Sequence, residues 1–168
     1  MLRLRRAEDV PLIAEALHDA ETLRRLDDEP VPPDRHADSV SRTEEQWRSG
    51  SAAPFVIAAA AGDRPLGLLN LQFGADDEVA GLAVSVFPEA RGRGVASKAM
   101  RLGATWGLRE LGLRRVFAEA AVDNEASIRA IEKAGFQREG VLRAHCKTHG
   151  RSHDCVMFSL LPADVDPA

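Results

Sequence analysis

The sequence predicts an α+β (mixed α/β) fold, in which about four helices flank a mostly antiparallel sheet of about seven strands. Three observations carry that expectation. Apolar residues alternate with period two in several short stretches, recur at helical spacing in others, and Gly- or Pro-rich punctuation separates the two kinds. At 168 residues the chain suits one domain of roughly 100–200 residues. No internal repeat, linker or low-complexity run divides it, so residues 1–168 are expected to form a single domain.

Each element follows in order. Leu2 and Leu4 alternate with Arg3 and Arg5, which predicts a short first strand. Val10, Leu12, Ile13, Ala16 and Leu17 fall at helical spacing, and Asp9-Val10-Pro11 supplies a helix start. The stretch Asp27-Asp28-Glu29-Pro30-Val31-Pro32-Pro33 cannot continue that helix, because proline lacks the amide donor and clashes with the preceding turn. A second, polar helix is expected from about Asp34 to Arg48, with Trp47 as its apolar anchor. Phe55-Val56-Ile57 reads as a buried strand and Gly62-Asp63-Arg64-Pro65 as a hairpin turn, with Leu66, Leu68, Leu69 and Leu71 on the return strand. Asp76-Asp77 marks a turn before a strand from Val79 to Phe87, which Pro88 ends. Val95, Ala99, Leu102, Trp106 and Leu111 give Gly94–Leu111 helical periodicity. A strand at Val116–Val122 precedes a helix at Ala126–Ala134, closed by Gly135. Two last strands, about Phe136–His145 and Ser152–Leu160, flank a turn near His149-Gly150.

Composition excludes several classes of function. Apolar residues are 45% of the chain and charged ones 29%, an ordinary globular mix. The longest apolar stretches, such as Phe55–Ala61, fall far short of the ~20 residues that cross a bilayer, so no membrane partner is expected. The basic start Met1-Leu2-Arg3-Leu4-Arg5-Arg6 leads into no apolar core, so no secretory signal is visible and a cytoplasmic location is expected. A formal charge of −4 argues against nucleic acid. Yet between Glu89 and Arg101 four basic residues (Arg91, Arg93, Lys98, Arg101) face one acid, a local +3 that suggests a small anionic ligand. Cys146 and Cys155 are too few for a disulfide framework. They lie symmetrically about Gly150–Arg151 and could face each other across the hairpin, although reduced thiols are the expected state in a cytoplasm. His145, His149 and His153, spaced four apart, would form a zinc row on a helix; a hairpin does not gather them, and no metal is expected.

The informative segment is Pro88-Glu89-Ala90-Arg91-Gly92-Arg93-Gly94-Val95-Ala96-Ser97, between a strand and an amphipathic helix. The first turn of a helix has unpaired N–H groups and the positive end of the dipole, so it attracts phosphate. Glycine there lets the backbone approach a ligand at positive φ. Arg91 and Arg93 can add charge-assisted bonds to phosphate oxygens. The Walker pattern is excluded because Val95-Ala96 follows Gly94, and the dinucleotide fingerprint because Ser97 stands where its third glycine would be. A tight strand-to-helix turn with no ligand is the plain alternative for the two glycines.

These residues fit a known family pattern. Arg91-Gly92-Arg93-Gly94-Val95-Ala96 resembles the R/Q-x-x-G-x-G/A motif of the GNAT superfamily of N-acetyltransferases. Asn124 and Ser127, then Glu132-Lys133-Ala134-Gly135-Phe136, resemble its second signature, N-x-x-S followed by E-K-x-G-F. The closing run from Glu139-Gly140-Val141-Leu142-Arg143 through Asp154 to Ser159-Leu160-Leu161 is similar to the ribosomal-protein N-acetyltransferase (RimJ/RimL-type) branch. The order of elements agrees over nearly the whole chain. The resemblance implies a twisted GNAT-type central sheet and acetyl-CoA as cosubstrate, with an amine as acceptor. Backbone amides from Arg91 to Ala96 (Arg91, Gly92, Arg93, Gly94, Val95, Ala96) would hold the pyrophosphate. Asn124 and Ser127 would contact pantetheine or phosphates, and Lys133 or Arg129 the ribose phosphate. The strand Leu82-Ala83-Val84-Ser85-Val86 would splay from its neighbour, pair with pantetheine and offer an N–H to the thioester carbonyl. The alternatives are a helix cap for Asn124, with Ser127 at the helix start, and a solvated helix face for Lys133 and Arg129.

Attack on a thioester needs a neutral amine, and a carboxylate, often through water, can take the proton. Glu119, five residues before Asn124, stands where the ribosomal-protein alanine branch places its general base. It is the only charge in Val116–Val122, and partial burial there would raise its pKa; an outward-facing strand residue is the alternative. That branch's general acid, a tyrosine seven residues after the Asn, is replaced by Ile131, and the chain has no tyrosine. Ser127, a histidine or water could substitute, or a thiol of pKa about 8.5 could leave unaided. Acidic runs at Asp27-Asp28-Glu29 and Asp76-Asp77-Glu78 would attract a cationic amine, unless they are merely solvated loops. Three functions follow: acetylation of a peptide or protein N-terminus, acetylation of a polyamine or aminoglycoside-like amine, and non-catalytic binding of acyl-CoA. By the same resemblance a homodimer is possible.

Overall fold

A computed structural model describes residues 1–25 and 32–165. Seven strands form one sheet in the order β1-β2-β3-β4-β5-β7-β6. They are β1 (Leu2–Arg3), β2 (Ala52–Ala58), β3 (Pro65–Phe73), β4 (Val79–Val86), β5 (Arg115–Ala121), β6 (Gln137–Thr148) and β7 (Arg151–Leu160). Neighbours run antiparallel except β4 and β5, which are parallel. The helices are α1 (Val10–Leu17), α2 (Ala20–Arg25), α3 (His36–Ser49), α4 (Val95–Glu110), α5 (Glu125–Lys133) and α6 (Pro162–Val165).

The four expected helices are thus joined by α2 and α6, both too short and too polar to leave a periodic signal. Only Thr22 in α2 and Val165 in α6 are buried. The acidic run Asp27-Asp28-Glu29 falls outside the described residues.

Successive residues of β2 separate two cores. Ile57 faces a large cluster with Met100, Ala104 and Leu108 of α4 and Leu69, Leu71, Val116, Phe158 and Leu160 of the sheet. Val56 faces a smaller one with Ile13 and Leu17 of α1 and Phe87. The sheet is therefore covered by α4 on one face and α1 on the other, each helix burying one stripe. Trp47 anchors α3 as expected, its ring edge-on to Phe55 at 5.1 Å and to Trp106 at 6.0 Å. At the chain start Arg3 and Asp9, both almost fully buried, form a two-pronged ion pair at 2.7 and 2.8 Å.

The feature that matters for function lies between β4 and β5. Their pairing stops after Val79↔Arg115, Ala80↔Val116 and Gly81↔Phe117. Beyond that point β4 follows β3 as far as Gly67↔Val86, while β5 follows β7 as far as Ala121↔Cys155. Gly67 lets β3 and β4 stay close, since a Cβ there would lie 2.3 Å from Ser85 O. The strands part, and the sheet opens.

A candidate coenzyme A cleft and catalytic centre

The opening is the core of a cleft of about 1510 Å³. Leu82, Ala83, Val84, Ser85 and Val86 line one side, and Ala118, Glu119, Ala120 and Ala121 the other. On the β5 side the backbone groups of Leu82–Val86 have no strand partner. Val86 O instead accepts from Arg91 Nε at 3.2 Å.

At one end the cleft meets the glycine loop. Gly92 and Gly94 sit at φ 71° and 72°, the left-handed region that glycine enters without steric cost. Gly94 begins α4, and Ser97 Oγ donates back to Gly94 O at 3.1 Å. The amides of Gly92, Arg93, Gly94, Val95, Ala96 and Ser97 donate to no acceptor among the described residues. The amide of Arg91, by contrast, donates to Pro88 O at 3.2 Å. An adjoining groove of about 720 Å³ is lined by Arg93, Lys98, Arg101 and Lys133, with no carboxylate among its lining residues. Exposed amides, a helix N-terminus and four cations together form a place for a polyanion.

Arg91 has partners that the sequence reading did not foresee. Its guanidinium turns away from the loop to bond Asp19 at 2.7 Å and Thr22 Oγ1 at 2.8 Å. The guanidinium and the Thr22 amide hold the Asp19 carboxyl below its usual range. Arg91 therefore ties the start of α2 to the loop through Nη2 while still lining the cleft. The other polar residues of the signature behave in two ways. Asn124 Oδ1 accepts from Ser127 N–H at 3.2 Å and so caps α5, while both residues line the cleft. Arg129 pairs with Glu125 at 2.9 Å on an exposed helix face, while Lys133 borders both groove and cleft.

Glu119 lies two residues beyond the last β4–β5 pair, at the mouth of the opening. The partial burial expected from its apolar run is not found: its side chain is 38% exposed, because Glu119 alternates with the buried Ala118 and Ala120. It has instead a partner that sequence did not reveal. His145 Nε2 lies 3.1 Å from Glu119 Oε2. A bulge sets this contact, since β6 loses register with β7 between Leu142 and Cys146. Within it Ala144 stands at φ 50°, and its N–H donates to Asp154 Oδ1 at 2.8 Å. Bulges re-aim side chains, and here the imidazole is turned onto β5.

Cys146 and Cys155 form a disulfide, Cα to Cα 5.9 Å, which corrects the expectation of free thiols. The hairpin turns at His149-Gly150 (φ 50° and 73°), one residue earlier than a symmetric pairing of the cysteines requires. Cys146 therefore faces His153, and Cys155 is its diagonal neighbour on the same face. A nitrogen of His153 and the two sulfurs lie within 4.8 Å, but sulfurs bonded to each other are not thiolate ligands. His149 Nε2 reaches Leu23 O at 2.8 Å and ties the hairpin to α2. Arg25 reaches Asp123 at 2.9 Å, so α2 bridges the cleft from the loop to β5 and the hairpin. The acids Asp76 and Glu78 pair with Arg114 at the far end of β4 and do not line the cleft.

Residues 1–137 match the family model described as "Acetyltransferase (GNAT) domain". The N-acetyltransferase p20 of Bacillus licheniformis, of uncharacterised role, is 29% identical over 164 residues, covering 95% of this chain and 91% of p20. YoaA of Bacillus subtilis, also an uncharacterised N-acetyltransferase, is 37% identical over 80 residues. That match covers 48% of this chain and 45% of YoaA, so it spans under half of that relative. Among solved structures, RimL, a ribosomal L7/L12 alpha-N-protein acetyltransferase in complex with coenzyme A, superposes with a TM-score of 0.85 at 20% identity. The superposition covers 98% of this chain and 94% of RimL, and so shares the fold.

Proposed function

From the premise that this chain belongs to the GNAT acetyltransferase family, and moves an acetyl group from acetyl-CoA to an amine, we propose how its residues divide that work. The pyrophosphate docks on the amides of Gly92–Ala96, and Arg93 and Lys133 face the remaining phosphate charge. Pantetheine runs along Leu82–Val86 and supplies the missing strand between β4 and β5. An N–H of that strand receives the thioester carbonyl oxygen, a kind of contact often worth ~2.7–4 kcal/mol in the transition state. Asn124 and Ser127 form the opposite wall. Glu119 supplies the negative charge that draws the proton from the amine.

The observation that carries this reading is the opening itself. It leads from unpaired amides at the start of α4, along unpaired strand, to the one carboxylate of β5 at its mouth.

For the acceptor we favour the N-terminus of a peptide or protein. Beyond Glu119 the cleft continues between α2 and the β6–β7 hairpin, where an ammonium group would share Glu21 and Asp123 with Arg24 and Arg25, and Asp154 with the Ala144 amide. RimL, whose fold this chain shares, is described as acting on a protein alpha-amine. We place the reaction in the cytoplasm, with neither nucleic acid nor membrane as partner; a reducing cytoplasm would open the Cys146–Cys155 bond. The exposed Val141 and Leu142 on edge strand β6 favour a homodimer through that edge. Release of coenzyme A thiol from acetyl-CoA should accelerate with N-terminal peptides in a panel that also holds spermidine and an aminoglycoside. Turnover with the small amines alone would reassign the acceptor, and binding without turnover on any amine would leave a non-catalytic acyl-CoA module.

A further inference from the structure

We propose that Glu119 acts through His145: the imidazole takes the proton from the attacking amine and returns it to the leaving thiolate. The inference rests on the reading of this cleft as the site of acetyl transfer, and on three observations.

First, the two groups are joined. His145 Nε2 faces Glu119 Oε2 at 3.1 Å, at the mouth of the β4–β5 opening, and both residues line the cleft. A neutral imidazole with its hydrogen on Nε2 donates to the carboxylate and leaves a lone pair on Nδ1. That nitrogen has no partner among the described residues.

Second, the position of His145 is built. The bulge between Leu142 and Cys146 carries it, and Asp154 pins the amide of Ala144 before it, a contact that does not depend on the redox state of Cys146 and Cys155. The His145 side chain is 46% exposed, and its contact with Glu119 orients the ring.

Third, the chain lacks another proton donor at the expected place. It has no tyrosine, and Ile131 is only 3% exposed. Histidine is the residue type whose ordinary titration allows it to accept and release a proton near neutrality.

The step balances. The amine nitrogen bonds the thioester carbon, and the carbonyl pair moves onto oxygen. The N–H proton passes to His145 Nδ1, and Glu119 stabilises the imidazolium through Nε2–H. When the oxygen pair reforms the carbonyl, the C–S bond breaks and its electrons leave on sulfur. The proton on Nδ1 then moves to that sulfur. The products are the amide and coenzyme A thiol, with His145 and Glu119 restored. One imidazole thus serves as base and then acid, so no separate acid is needed.

The test is chemical rescue. His145→Ala should lower kcat/KM about 100-fold or more, with coenzyme A affinity by calorimetry unchanged. Added imidazole should restore at least tenfold of the lost rate in His145→Ala. It should restore none in Glu119→Gln, where the imidazole is present but its carboxylate is not. His145→Gln fills the space and keeps a donor toward Glu119, so it should fold, bind coenzyme A and resist rescue. Wild-type kcat/KM in either His145 variant overturns the proposal. So does a His145→Ala protein that binds coenzyme A, is slow and gains nothing from imidazole. Failure of the wild-type protein to bind coenzyme A or turn over would instead overturn the underlying assignment of the cleft.

Discussion

Glu119 lines the cleft, but it is more exposed than the apolar run around it suggests. Its place five residues before Asn124 identified it, but an apolar run in β5 means alternation across the sheet rather than burial of every member. The role proposed for it therefore rests on position and on His145 rather than on a dry pocket. Glu119→Gln should lower kcat/KM by about 10²–10⁴-fold while acetyl-CoA still binds, because the proposed cofactor contacts lie on Gly92–Ala96 and Leu82–Val86 and not on this carboxylate. Wild-type steady-state kinetics across pH in that variant would remove Glu119 from the chemistry. His145 was not legible in the same way. None of Arg143, Ala144 and His145 is a glycine or asparagine that would mark a positive-φ bulge, and Asp154, which holds it, acts from another strand. The partners of Arg91 were hidden for a related reason: its motif position is clear, but only the fold shows that Asp19 and Thr22 bond its guanidinium.

At the scale of elements, α3 was marked by Trp47 and β6 by the hairpin turn, whereas β2 to β5, β7, α1 and α4 were readable because each has an apolar stripe facing one of two cores. The helix α2 has none, and forms where tertiary ties hold it: Arg91 on Asp19, Arg25 on Asp123, and His149 on Leu23 O. The cleft half of the sheet has its own tie. Glu139 of β6 reaches across β7 to Arg115 of β5, with two contacts of 2.6 Å, and accepts from Ser159 Oγ at 2.8 Å. The Arg115 guanidinium first, and the Ser159 hydroxyl second, hold the Glu139 carboxyl down at about 2. A carboxyl lowered on folding adds stability that is fully present above its ordinary value of about 4.3 and is lost as pH falls toward the lowered one. The urea midpoint of the wild-type protein should therefore exceed that of Glu139→Gln at pH ~5, and the gap should narrow as pH falls toward ~2. A gap that stays constant with pH would mean that the lost contact is not ionic.

For the whole molecule, the account reduces to two half-sheets that meet over three residue pairs and then separate. One half, β1 to β4, carries the strand that lacks a neighbour. The other, β5 with β7 and β6, carries Glu119 and His145, and α4 begins at the gap. Periodicity could place the strands but not the point at which β4 leaves β5; the family resemblance put the splay at Leu82–Val86, and the pairing does end at Gly81. The direct test is to titrate coenzyme A into ¹⁵N-labelled protein and follow the backbone amide resonances. The amides of Gly92–Ala96 and of Leu82–Val86 should shift together, saturating with one affinity, while those of β1 and β2 stay in place. Saturable binding that moves neither segment, or no binding, would contradict the account.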